Sequence, residues 1–357
     1  MSQVISRRQL AFLQFTTIAP TILVFLPGAI LAGAGHDGPF VVLAALAEAA
    51  GVDAVLVAAL VPSSPPQLFR QAWGDLGGRL ATAGYALGLG LGLVAVWAEF
   101  LILIRTEVLP LTPEWAVAAL GVLVTGLMAS RGPAGIARVN DLVVATTTLV
   151  MVALVAVAAG GIETWNLLPP YPLAWTRLWG LAWLPVTFLG EIPVAATFLP
   201  RVRDRAPRAL RAALLLGAGA AGLALLAPVV VTLGVLGPVL AREIPWPFFE
   251  VVADLRIGQF LTKNALWLIA VGSLLLYVKI AIWSYAVADS CRAAARRGTR
   301  RVWIWAVVPV TAAVAVHAFT ATAAAQDLVA ADWAEGVFPF LAVLVTAAGV
   351  VRRWRRR

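Results

Sequence analysis

Ten stretches of this chain are each long and apolar enough to cross a membrane. They cover residues 9–33, 38–61, 80–104, 113–130, 138–160, 179–200, 208–237, 261–289, 302–323 and 333–351. A helix rises 1.5 Å per residue, so about 20 apolar residues cross roughly 30 Å of hydrocarbon. Backbone polar groups in that medium must pair within their own segment, which predicts helices throughout. The chain has 61% hydrophobic and 13% charged residues, too little polar surface for a soluble fold of 357 residues. The expectation is an all-α polytopic membrane protein, one integral domain over 1–357.

The basic residues give the direction of the spans. Of 27 Lys and Arg, 21 fall in one alternate set of loops and tails: Arg7 and Arg8, Arg70 and Arg79, Arg131 and Arg138, and clusters in 201–211, 292–301 and the tail 352–357. The other loops hold five, and Lys279 lies inside a span. Such asymmetry is the positive-inside pattern and predicts both termini in the cytoplasm. It assigns the net charge of +9 to the anionic inner leaflet of the bilayer and argues against nucleic acid as a partner. The opening "ISRRQLAFLQF" imitates a twin-arginine signal, with "AGA" at Ala32–Ala34 as a cleavage site. Its apolar stretch is too long, and the expectation is a retained first helix.

Two spans in matching places carry helix breakers. The first reads "FLQFTTIAPTILVFLPG", with Pro20 after Thr16, Thr17 and Ala19 and before Thr21. The sixth reads "TFLGEIPVAATFLP", with Phe188, Gly190 and Glu191 between Pro185 and Pro193. Proline removes a backbone donor and clashes with the preceding turn. Spans one and six open two sets of five with opposite orientation, about 5–160 and 170–352. That is the pattern of inverted-repeat transporters, whose unwound turns bind the polar ends of a small ligand at the midplane. The expected ligand-binding residues are Thr16, Thr17, Ala19, Pro20, Thr21, Phe188, Gly190 and Glu191.

Two further charges lie in the membrane. Lys279 falls in span eight, and Glu99 in span three on the face of a Gly84–Gly88–Gly92 stripe that lets helices approach closely. Glu191 either pairs with Lys279 as a structural ion pair or receives the ammonium of an amino-acid ligand while Lys279 balances charge or carries a proton. Glu99 is a second candidate partner for Lys279. Glu48 and Asp53 fall in span two without a nameable partner, and Asn140 and Asp141 fall at one end of span five. The segment 63–80 reads as an interfacial helix with Leu68, Phe69 and Trp73 on its apolar side. With two histidines, His36 and His317, and one cysteine, Cys291, the residues suggest no metal site, no cofactor and no catalytic constellation.

The motifs "ISRRQL" (Ile5–Leu10), "LPLTPEW" (Leu109–Trp115), "RGPAGIAR" (Arg131–Arg138) and "FLGEIP", with Lys279 and Tyr285, together resemble the spore germination permeases, the B subunits of GerA-type germinant receptors, within the amino acid–polyamine–organocation superfamily. "ISRRQL" (Ile5–Leu10) is similar to the family's opening Ile-Ser-x-x-Gln-Leu. "LPLTPEW" (Leu109–Trp115) resembles its Leu-Pro-x-Thr-Pro stretch, "RGPAGIAR" (Arg131–Arg138) its element before span five, and "FLGEIP" its Gly-Glu element. Lys279 with Tyr285 matches its span-eight pattern. "DGPF" and "FLTKNAL" (Phe260–Leu266) depart from it. The resemblance implies a ten-helix LeuT-like fold of two inverted five-helix repeats. It implies recognition of a small germinant, typically an amino acid, and assembly with A-type and C-type subunits in the spore inner membrane. The alternative is an amino acid or polyamine transporter that works by alternating access.

Overall fold

The structure, a computed structural model, describes residues 4–168, 173, 175–244, 246–255, 265–318 and 328–355. Its elements are helices: α1 (Arg7–Val24), α2 (Leu26–Ala34), α3 (Gly38–Leu60), α4 (Pro65–Glu107), α5 (Glu114–Ser130), α6 (Gly132–Ala158), α7 (Trp175–Leu189), α8 (Ile192–Ala196), α9 (Pro207–Glu243), α10 (Pro247–Asp254), α11 (Ala265–Ala295), α12 (Arg300–Ala318) and α13 (Phe338–Trp354), the last preceded by a π-helical stretch at Leu328–Val337. Among the described residues the only strand-like pairing is an isolated bridge between Ile5 and Val202.

Eight described stretches are long and apolar enough to cross a membrane, where the sequence suggested ten. The difference has a local cause. α5 has only 17 residues, and α1 begins with two arginines and is diluted by Gln9, Gln14, Thr16, Thr17 and Thr21. α2 and α3 run together through one 3₁₀ turn. The segment that joins α10 to α11, including "FLTKNAL" up to Asn264, lies outside the described residues.

The packing is that of two related halves. Exchange the first five spans for the second five in order, and the main helix contacts map onto one another. α1 against α9 becomes α7 against α3, α4 against α13 becomes α11 against α6, and α5 against α11 becomes α12 against α4. The pairs α4–α11, α3–α9 and α5–α12 map onto themselves. α4, α7 and α11 are deeply buried at the centre, while leucines such as Leu76, Leu87, Leu149 and Leu223 stay exposed on the outer face. An apolar outer face suits lipid and needs no further partner.

Both interrupted spans are built on one plan. In the first, Pro20 sits inside α1 and the helix continues five residues to the break at Phe25. The second segment, α2, then starts with Pro27 as its second residue. In the sixth, Pro185 sits inside α7, the break begins five residues on at Gly190, and α8 starts with Pro193 as its second residue. The break in span one therefore lies at Phe25, beyond the proline that the sequence singled out. Pro20 deletes one hydrogen bond yet has a helical φ, which a packed membrane helix tolerates. Pro27 removes a second donor about two turns later, and the helix breaks just before it.

The termini of the spans follow from short motifs. Ser6 caps α1: its hydroxyl accepts from the Gln9 amide at 3.1 Å, and the Gln9 side chain accepts from the Ser6 amide at 2.9 Å. Ile5 before it pairs its amide and carbonyl with Arg201 and Arg203, both at 2.9 Å. The segment 63–80 forms a helix from Pro65, buries Leu68 and Phe69, and kinks at Gly74, whose φ of 73° favours glycine, before α4 continues. Gly132, with φ 75°, makes the turn from α5 to α6 within the "RGPAGIAR" motif.

Candidate functional site

The two interruptions put four buried polar side chains in one chain of contacts. Lys279 of α11 donates from Nζ to Thr21 Oγ1 at 2.6 Å, and Thr21 Oγ1 donates to Glu99 Oε2 at 2.7 Å. On its other side Lys279 Nζ lies 3.5 Å from Glu191 Oε1. None of the four is more than 3% exposed, so these charges lie wholly out of water. Such groups must be paired, and here one ammonium serves two carboxylates, one directly and one through a hydroxyl. The second oxygen of Glu191, Oε2, is buried and has no hydrogen-bond partner among the described residues.

The break in span six is partly self-satisfied. The Gly190 amide donates to the Val186 carbonyl at 2.9 Å, and the Glu191 amide to the Phe188 carbonyl at 3.2 Å. These two amides of the break are thus taken within the chain itself. On the far side Tyr85 of α4 donates its hydroxyl to the Pro193 carbonyl at 2.8 Å, which anchors the start of α8.

Aromatic rings close the site toward α13. Phe188 stacks on Trp333 with centroids 6.2 Å apart, and Trp333 meets Trp283 edge-on at 5.6 Å. Phe338 lies so close to Gly190 that a Cβ there would stand 2.5 Å from its ring. Trp183 donates to the Ala334 carbonyl at 3.1 Å and ties α7 to the same wall. The Gly84–Gly88–Gly92 stripe serves this packing: Gly84 faces Phe340, Gly88 faces Leu341, and Gly92 faces Trp283 and Trp333.

The residues expected from sequence divide accordingly. Thr21, Gly190, Glu191, Lys279 and Glu99 come together, and Ala19, Pro20 and Phe188 are buried beside them in α1 and α7. The hydroxyls of Thr16 and Thr17 turn to other partners: Asn140 Oδ1 at 2.7 Å and the Leu13 carbonyl at 2.7 Å. Lys279 meets both candidate acids, Glu191 in direct contact and Glu99 through Thr21. Tyr85, Trp283, Trp333 and Phe338 were not singled out in the sequence, since nothing in an apolar span marks which of its aromatic residues face the centre. Asp141 receives Gln9 at 2.9 Å and Arg8 at 3.8 Å, and so fastens the start of α1. Asp53 is 3% exposed, and its Oδ1 has no partner among the described residues. Tyr285 is separate from Lys279: it stacks on Phe198 at 4.9 Å beneath the Arg300 guanidinium. His36 Nδ1 faces the Asn166 carbonyl at 3.1 Å in a turn, and no metal-holding cluster exists among the described residues.

The fold is similar to a solved structure described as MhsT in complex with L-phenylalanine. The TM-score is 0.66 at 14% identity, with 97% of this chain and 89% of that one covered. This shows the LeuT-like fold. No curated protein matches the chain. A family model described as "Spore germination protein" matches residues 4–324. With that match over nearly its whole length and a transporter-like membrane fold, the chain belongs to the spore germination permease family.

Proposed function

We propose that this protein is the membrane subunit of a germinant receptor. It binds a small germinant, an amino acid, where the interruptions of spans one and six meet, and A-type and C-type subunits read the change. Both termini face the cytoplasm of the spore inner membrane. The observation that carries this reading is the unpartnered oxygen of Glu191, buried beside a helix interruption and an aromatic wall. A buried carboxylate oxygen without a donor is costly, and the ammonium of an amino acid supplies one. Thr21, Phe188, Gly190 and Glu191 line the binding position, with Ala19 and Pro20 behind them. Thr16 and Thr17 support it from α1. The amino acid held by MhsT in its crystal structure supports the reading.

The linked set Glu99–Thr21–Lys279–Glu191 favours one alternative, a transporter that carries a proton with its amino acid. One measurement separates the readings. Purified protein is tested for thermal stabilisation by each amino acid and, in proteoliposomes, for counterflow of the same labelled compound. A receptor is stabilised without exchange, and Glu191→Gln weakens the stabilising ligand about tenfold or more. Saturable counterflow overturns the pure receptor, and the absence of any stabilising amino acid overturns both.

A further inference from the structure

We propose that the protein holds an anionic phospholipid in a built site remote from the central polar chain. The site has two connected parts. One is a cavity of about 410 Å³ on the membrane face that carries the arginine-rich loops, between the start of α4 and the end of α11. Arg70, Arg79, Arg292 and Arg296 line it, against a single carboxylate, Asp75. Asp75 is shared by Arg70, at 3.5 Å, and Arg296. Arg292 reaches Asp289 at 3.3 Å, but Arg300 holds that same oxygen more closely at 2.6 Å. Arg79 spends its Nε on the Ala294 carbonyl at 3.0 Å. Each guanidinium has five N–H donors, so most donors around this cavity remain for a guest. The excess positive charge selects an anion, and planar guanidinium groups match phosphate oxygens.

The second part is an apolar groove of about 750 Å³ that shares Arg79 with the cavity. It runs along α4 from Leu76 to Val94, about 27 Å of helix, and is closed by Trp303 and Val314 of α12. Its polar members make no demand on a guest: the Thr311 hydroxyl bonds the Val307 carbonyl at 2.9 Å, and Trp303 bonds the Arg297 carbonyl at 2.8 Å. A cationic cavity joined at one arginine to a long apolar groove fits a phosphate head group with an acyl chain. A free phosphate would leave the groove unused, and a zwitterionic head would bring an ammonium among four arginines. The guest would brace α4, α11 and α12, two of which carry Glu99 and Lys279.

The test is retention of lipid by the full-length protein. The protein is purified in detergent, offered equal phosphatidylglycerol and phosphatidylcholine, and weighed by native mass spectrometry. The expected result is preferential retention of phosphatidylglycerol, about tenfold weaker in the Arg70→Gln/Arg292→Gln variant. Gly90→Phe blocks the groove from a position whose Cβ meets nothing within 4 Å, and is expected to lower retention with the arginines intact. Equal retention of the two lipids overturns the proposal. So does unchanged retention in Gly90→Phe, or full displacement of phosphatidylglycerol by millimolar inorganic phosphate. If the arginine variant does not fold, the Gly90→Phe comparison decides alone.

Discussion

Lys279 lies nearer to the hydroxyl of Thr21, at 2.6 Å, than to the carboxylate of Glu191, at 3.5 Å. The threonine is therefore part of the charge balance. It accepts a hydrogen bond from the ammonium and donates its own hydroxyl hydrogen to Glu99 in another. Thr21→Val keeps the shape and deletes both hydrogen bonds. Two charged groups then lose a partner in a dry site, at about 1–3 kcal/mol for each. Chemical denaturation in detergent should show that loss, and Thr21→Ser should restore most of it.

Lys279→Met leaves Glu99 and Glu191 without their cation. Breaking a buried pair from one side costs about 3–5 kcal/mol. The expected outcome is poor yield and a lower melting temperature. Adding Glu99→Gln and Glu191→Gln should recover stability, because apolar and neutral groups need no counter-charge. Failure of the triple variant to recover would show that the ammonium has a role beyond neutralisation.

Gly190→Ala tests the wall between the site and α13. The added Cβ would meet the Phe338 ring at 2.5 Å, so the ring must move or the break must shift. A loss of about 1–3 kcal/mol is expected in thermal melts. Phe338→Leu should relieve it in the double variant while costing stability by itself, a non-additive pair that identifies direct contact.

Hydrogen exchange tests the start of α1. The amides of Ile5 and Arg203 close the backbone bridge and should be protected on the timescale of the core. Ser6→Ala removes the cap, at about 1 kcal/mol, and should speed exchange at Gln9 and Leu10 before it affects α11.

Much of the fold was legible because lipid imposes length and polarity on each segment separately. Gly38–Leu60 and Glu114–Ser130 start and end within one residue of the apolar stretches read from the sequence. Glu191, Glu99 and Lys279 stood out because ionised groups are rare in hydrocarbon, but which acid Lys279 meets was not legible, since both lie in neighbouring spans. The break at Phe25 was harder to place. Pro20 and Pro27 both appear in the sequence, but which of two prolines ends a helix depends on the neighbours that hold the first in line. Trp333 and Phe338 gave no signal at all. An aromatic residue at one end of span ten has no feature that names Gly190 as its neighbour, since that contact is made by the closing of one half on the other.

The matched prolines carry one more consequence. Counted from Pro20 and from Pro185, the two interrupted spans keep the same step for five residues, to Phe25 and Gly190. From there the second needs one residue more before its next helix begins. That additional residue is Glu191. The carboxylate thus occupies a place with no equivalent in the other half of the molecule. The first half brings its own carboxylate, Glu99, from α4 instead, so the two acids of the centre come from unmatched places in the two halves.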